Sequence, residues 1–368
     1  MKRPRTASSA SRASRAARGR HCRSSLTRTV LALTPAMLPL TRTVLVLTLV
    51  TAGCGTGTGR LATMTPGAPY GTTHPLVGQL WSPAADTVIS DVQLTMMLAD
   101  ARIVLLGEQH DNPDHHRLQA FVLERMGAIG RRPVMVFEMI DRDRQQAVDT
   151  CRTARRCRAA DLAAAAQWNE RGWPDWQIYA PVLSRVTDQK LLVLAGGLGR
   201  EQIRAVVQSG NDALDPDLRK RLDLDAKLSR KTREAMVEEI RVSHCGHPPK
   251  QLINGMVTAQ RLKDAYMASQ LAAAQISGTT VLIAGNGHTR NDWGVPSHLR
   301  RMAPTAARLS IAFVEVRDEL TDPSDYGELF GASTPPFDLV WFTARVDETD
   351  PCEQFKEQLE RLKVKGGR

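Results

Sequence analysis

Three apolar runs in this sequence end on groups able to exchange protons or hold a cation. Arg102-Ile-Val-Leu-Leu-Gly-Glu108-Gln-His110 places a carboxylate and an imidazole directly after a short apolar run. Pro133-Val-Met-Val-Phe-Glu138-Met repeats the pattern with a second carboxylate, and Thr280-Val-Leu-Ile-Ala-Gly-Asn286-Gly-His288-Thr-Arg290 with Asn, His and Arg. Taken singly, each has an ordinary structural role: a Glu at a strand end caps a helix, and a lone His is hydrogen-bonded core. Taken together, two carboxylates and two imidazoles near one point are costly to bury unless they pair, bind a cation or perform chemistry.

What brings them together is the order of elements. From about residue 76 to residue 346 short apolar runs alternate with longer amphipathic ones, the pattern of βαβ units and a largely parallel sheet. Strands are expected at Ile103–Leu106, Val134–Phe137, Leu191–Ala195, Thr280–Ala284, Leu309–Val314 and Leu339–Thr343. Helices are expected at His115–Met126, Arg142–Ala147, Glu201–Gln208, Thr232–Val242 and Met256–Ala274. The fold class is therefore α/β, with a largely parallel central sheet flanked by helices and an inserted helical lid. In such a sheet ligands sit outside the carboxyl ends of the strands. Glu108, His110, Glu138, Asn286 and His288 then share one rim, where Gly107, Gly285 and Gly287 permit close backbone approach.

The formal net charge of +10 suggests a nucleic-acid partner until its distribution is inspected. Residues 1–53 carry ten Lys and Arg and no acid, and the remaining 39 basic residues equal the 39 Asp and Glu. The body is neutral, and no nucleic-acid partner is expected. Residues 1–53 read as a leader. Leu49-Val50-Thr51-Ala52-Gly53-Cys54 resembles a lipobox, with Cys54 as the lipidated residue and Thr51 where Leu is usual. Met37 begins a compact signal peptide and is the expected start. The apolar stretch Thr43–Val50 is shorter than the ~20 residues that span a bilayer. Residues 55–75 then form a flexible tether, and the protein is expected at the cell envelope as an outer-membrane lipoprotein facing the periplasm. That compartment permits disulfides. Cys151 and Cys157 are spaced for a local bridge, with free buried thiols as the alternative, and Cys245 and Cys352 stay open. Residues 347–368 read as a charged amphipathic tail.

Five segments in order carry a family resemblance: Leu106–His116, Val136–Met139, Trp173–Pro181, Gln260–Asp264, and Ala284–Arg290 with Gly294–Pro296. Together they resemble the ChaN family of haem-binding uptake proteins, over about residues 76–346. The resemblance implies an α/β fold and haem-linked iron acquisition at the outer membrane, passing haem to or from a receptor there. It also implies a homodimer enclosing stacked haems, with a tyrosine on iron. Among four tyrosines Tyr179 is the candidate, with Trp176 on the same helix face and Pro174 as the first helical residue. Haem iron accepts tyrosinate; equally, these aromatics suit the core contact of a helical lid. His247, in Ser243-His244-Cys-Gly-His247, is a second candidate ligand or a solvated loop residue, and His115 and His116 join the rim or start a helix. Arg142, Arg144 and Arg290 are candidates for the propionates.

The wider superfamily resembles the erythromycin esterases and the TraB and Tiki proteins. On that second reading Glu108, His110, Glu138 and His288 form a divalent-metal hydrolase site, holding Mn, Co, Zn or Fe or acting as general base and acid. No Gly-x-Ser-x-Gly elbow offers a serine nucleophile. Ala195-Gly-Gly-Leu-Gly199 lacks the spacing of a phosphate loop, and a tight turn is expected at Gly196 and Gly197.

Overall fold

The computed structural model describes residues 65–246 and 250–349, together with 352, 353 and 356. A short hairpin, β1 (Leu80–Ser82) and β2 (Thr87–Val88), leads to helix α1 (Asp91–Asp100), strand β3 (Ile103–Glu108), helix α2 (Pro113–Ala128) and strand β4 (Val134–Asp141). Helices α3 (Gln145–Thr153), α4 (Ala159–Ala166) and α5 (Trp176–Asp188) precede β5 (Val193–Gly197). Next come α6 (Arg200–Ser209), α7 (Pro216–Arg221), α8 (Arg230–Ser243), the long α9 (Ile253–Ala274) and β6 (Thr280–Gly285). The last elements are α10 (Asn286–Thr289), α11 (Val295–Met302), β7 (Arg308–Glu315) and β8 (Leu339–Thr343).

Among the described residues the strands form one eight-stranded sheet in the order β2-β1-β8-β7-β3-β6-β4-β5. The run from β8 to β5 is parallel throughout, and only the edge hairpin is antiparallel. This is the expected largely parallel α/β sheet. It forms because the strands are continuous apolar runs that bury both faces. Their period of two divides the core. Val104, Leu106, Met135 and Phe137 face the layer of α1, α2 and α5, while Ile103, Leu105, Val136 and Leu282 face α9 and α11. Strand β6 lies between β3 and β4, so the chain leaves β3, passes over β6 and returns as β4. Glu108 of β3 is in register with Gly285 of β6, which fixes both strand ends at one level.

Two boundaries differ from expectation. Residues 65–75, expected as flexible tether, pack on the domain: Gly67 N–H donates to the Asp114 carboxylate at 2.7 Å and Tyr70 bridges Arg345. Asp114 sits in the first turn of α2, where a carboxylate is favoured, and recruits those backbone donors. Helix α5 begins at Trp176, two residues beyond Pro174, because the Asp175 side chain accepts from Gln177 N–H and caps it there. The leader, with Cys54, lies outside the described residues. Cys151 is bonded to Cys157, and Cys245 to Cys352. No helix among the described residues is long and apolar enough to cross a membrane.

Candidate functional site

At the end of β3, Glu108 is buried and its two oxygens collect donors from three elements. Tyr179 of α5 donates its hydroxyl at 2.6 Å, His110 Nδ1 donates at 2.8 Å, and Gln119 of α2 donates through Nε2 at 2.5 Å. His116 Nδ1 lies 3.4 Å away, and its ring stacks on Tyr179 at 3.6 Å. Burial alone raises the Glu108 pKa, but the imidazoles of His116 and His110 outweigh it and hold the carboxyl far below its usual range. The same burial, reinforced by the Glu108 charge, drives the Tyr179 hydroxyl well above its ordinary value.

His115 has a different task. Its Nδ1 accepts from Gln109 N–H and its Nε2 faces Thr343 Oγ1, both at 2.9 Å, which ties the turn after β3 to β8. Burial lowers its pKa to about 3, so it is a neutral structural group. His110 is the exposed imidazole of the pair it forms with Glu108, one third of its side chain being open beside the edge of Trp173.

Glu138, at the end of β4, faces a second set of partners. Lys263 Nζ donates to it at 2.7 Å, Gly285 N–H at 3.0 Å, and His288 Nε2 stands 3.1 Å away. His288 Nδ1 in turn lies 2.6 Å from Asp264, whose second oxygen is buried without a partner among the described residues. Although burial opposes it, the flanking charges of Glu138 and Asp264 raise the His288 pKa to about 9. Burial raises that of Asp264 to about 6. Glu138 lies well below its ordinary value because His288 and Lys263 overcome its burial. Close approach of β3 to α10 is needed for this register: a side chain at Gly107 would overlap Asn286 and Thr289.

The four residues expected as metal ligands are thus brought together, but as internal ion pairs. The ammonium of Lys263 takes the place of a cation on Glu138. Among the described residues no group of three or more His, Cys, Asp or Glu is arranged to hold a metal ion. The divalent-metal expectation therefore finds no support in the arrangement of the described residues.

Beside Glu138 the strand ends open into a cleft of about 670 Å³, within the usual size of small-molecule sites. Trp173, Leu198, Ile203, Val207 and Leu252 supply an apolar lining, Arg171, Arg200, Arg204 and Lys263 a cationic one, and Glu138 and Asp141 the carboxylates set among them. Gly197 borders it, and both Gly196 and Gly197 lie within β5 rather than in the expected turn, since a β-carbon at Gly197 would overlap the backbone of β4.

Of the residues assigned to haem from sequence, Tyr179, Trp176 and Arg290 are not among those lining this cleft. Tyr179 is fully buried with its hydroxyl given to Glu108. Trp176 is half-buried against the main core. Arg290 is buried between Asp292 and Glu239 and stacks on Trp293, so its guanidinium is already neutralised. Arg144 is spent on Ala165 O, and Arg142 borders a separate surface hollow. His247 lies outside the described residues. Conversely, Gln119, Lys263, Asp264 and the arginines of the cleft were not singled out. Lys263 and Asp264 did have a signal, the Gln260–Asp264 segment of a long helix, where positions 260, 263 and 264 share a face.

A family model described as haem-binding uptake, Tiki superfamily, ChaN matches residues 94–299. No curated protein matches the chain. Among solved structures the chain is similar to that described as cofacial heme binding to ChaN of Campylobacter jejuni. The two share 20% identity at a TM-score of 0.57, over 71% of this chain and 95% of that one. A mutant erythromycin esterase in its open conformation is more distant, at 11% identity and a TM-score of 0.43 over 74% and 99%. The first likeness shows the fold.

Proposed function

The chain belongs to the ChaN family of haem-binding uptake proteins in the Tiki superfamily, and from that premise we propose that it binds haem in the cleft beside Glu138. The observation that carries the reading is the lining of that cleft: a tryptophan and four aliphatic side chains beside four basic ones, of which Lys263 and Arg171 pair with the lining carboxylates Glu138 and Asp141 and Arg200 and Arg204 form no ion pair among the described residues. A flat apolar macrocycle with a carboxylate edge needs that combination, because its faces gain from burial while its propionates pair with guanidinium. When bound, haem supplies the iron and its redox and ligand chemistry. The chain supplies the slot, the pairing groups and the exclusion of water.

The buried ion pairs next to the cleft serve this by rigidity. Glu108 and Glu138 each gather donors from separate elements, locking the rim against which the ligand rests. Cys54, lipidated, anchors the protein at the envelope, where bound haem enters iron acquisition. The test is a hemin titration of the purified protein followed at the Soret band and by quenching of tryptophan emission. Saturable binding supports the reading; a featureless, non-saturating change overturns it. Cys54→Ser should move the protein from the membrane to the soluble envelope fraction.

A further inference from the structure

Resting on the haem reading, we propose that the cleft selects its ligand by the carboxylate edge and the apolar face rather than by iron, and so takes iron-free dicarboxylate porphyrin as well as haem. The first ground is the face of α6. Arg200, Ile203, Arg204 and Val207 all line the cleft, and their spacing of three and four puts them on one side of the helix. Two apolar groups and two guanidinium groups therefore form a single recognition strip.

The second ground is that neither of these two arginines forms an ion pair among the described residues. Arg204 is exposed and has no hydrogen bond or ion pair among the described residues. Arg200 donates only to the backbone carbonyl of Arg171. Arg171, by contrast, is already held by Asp141 and Asp143. The positive charge left over at the cleft belongs to α6, and it calls for carboxylates from a ligand.

The third ground is the state of the groups that would bind iron. Glu138 is occupied by Lys263, His288 and Gly285 N–H, and Asp141 by Arg171. Lys263 borders the cleft as an ammonium paired with Glu138, which has no lone pair to give. The Tyr179 hydroxyl is turned into the core. His110, one third open beside Trp173, is set between two carboxylates, with Nδ1 2.8 Å from Glu108 and Nε2 4.0 Å from Glu138. Iron thus finds its nearby donors engaged, whereas the carboxylates find theirs waiting.

The experiment compares hemin, metal-free protoporphyrin IX and the dimethyl ester of each, bound to the full chain and to Arg200→Gln/Arg204→Gln. Circular dichroism checks that the variant is folded; both positions lie on the rim of the cleft, outside the core. The expected result is similar affinity for hemin and protoporphyrin. Esterification or the double substitution should weaken both by roughly tenfold to a hundredfold, the loss of charge-assisted hydrogen bonds. Tight hemin binding with no protoporphyrin binding overturns the inference while leaving the haem reading standing, as does a double variant that binds hemin unchanged. Absence of saturable hemin binding removes the haem reading and the inference with it.

Discussion

Glu108 illustrates what a buried charge demands of its neighbours. Tyr179, His110 and Gln119 each spend a donor on it. Tyr179→Phe removes one hydrogen bond to an ionised group, a loss of about 2 kcal/mol, readable as a lower denaturation midpoint. Because the hydroxyl is buried and given to Glu108, and Tyr179 is not among the residues lining the cleft, hemin affinity and the Soret maximum should be unchanged in the same variant; a lost Soret shift would put Tyr179 on iron. His288 gives a second expectation. Its folded pKa, about 9, is raised above the ordinary 6.5, so its contribution is complete below pH 6.5 and lost as pH rises toward 9. The interval corresponds to on the order of 3 kcal/mol. Melting temperature should therefore fall across pH 6.5 to 9, and His288→Asn, less stable at neutral pH, should show a flatter profile. A variant with the same slope as the parent would refute this.

At the level of elements, the strands and their polar ends were legible because an apolar run buried on both faces has few alternatives, and the residues just after it must lie at the sheet's rim. Glu108, His110, Glu138 and His288 were found in that way. Lys263 and Asp264 were harder, since in a 22-residue helix a lysine and an aspartate ordinarily face water. Only the packing of α9 against β4 and β6 shows that theirs do not. Tyr179 was visible as part of an aromatic cluster, but its partner lies 71 residues earlier, a distance that helical spacing cannot reveal. The cleft itself depends on how closely α6 lies on α9. At Gly255 a β-carbon would overlap the backbone of Val207, so only glycine allows that contact. Gly255→Ala should force the helices apart, costing about 1–3 kcal/mol as an overpacked contact does. It should also weaken hemin binding, because Ile203, Arg204 and Val207 move with α6. Unchanged affinity in a destabilised variant would show that the α6 face is not the binding wall.

Across the whole molecule, the two disulfides close loops of very different reach. Cys151–Cys157 spans 6 residues beside α3, whereas Cys245–Cys352 spans 107. The longer loop contains α9, β6, β7 and β8, hence Lys263, Asp264 and His288, so it ties the basic and imidazole half of the site to the end of the chain. Sequence spacing pointed to the first bridge because its partners are neighbours. Pairing across 107 residues depends on which ends the fold brings together, and local spacing carries no trace of it. In the chain-entropy view a cross-link stabilises by restricting the unfolded chain, by about 2 kcal/mol for the short loop and about 5 for the long one. Replacing Cys245 and Cys352 with Ser should therefore lower the denaturation midpoint by more than twice the effect of replacing Cys151 and Cys157. Hydrogen exchange should locate the loss in α9 and β6. Equal losses for the two pairs would mean that the long bridge joins segments already held together in the unfolded state, and the entropy argument would then fail for this protein.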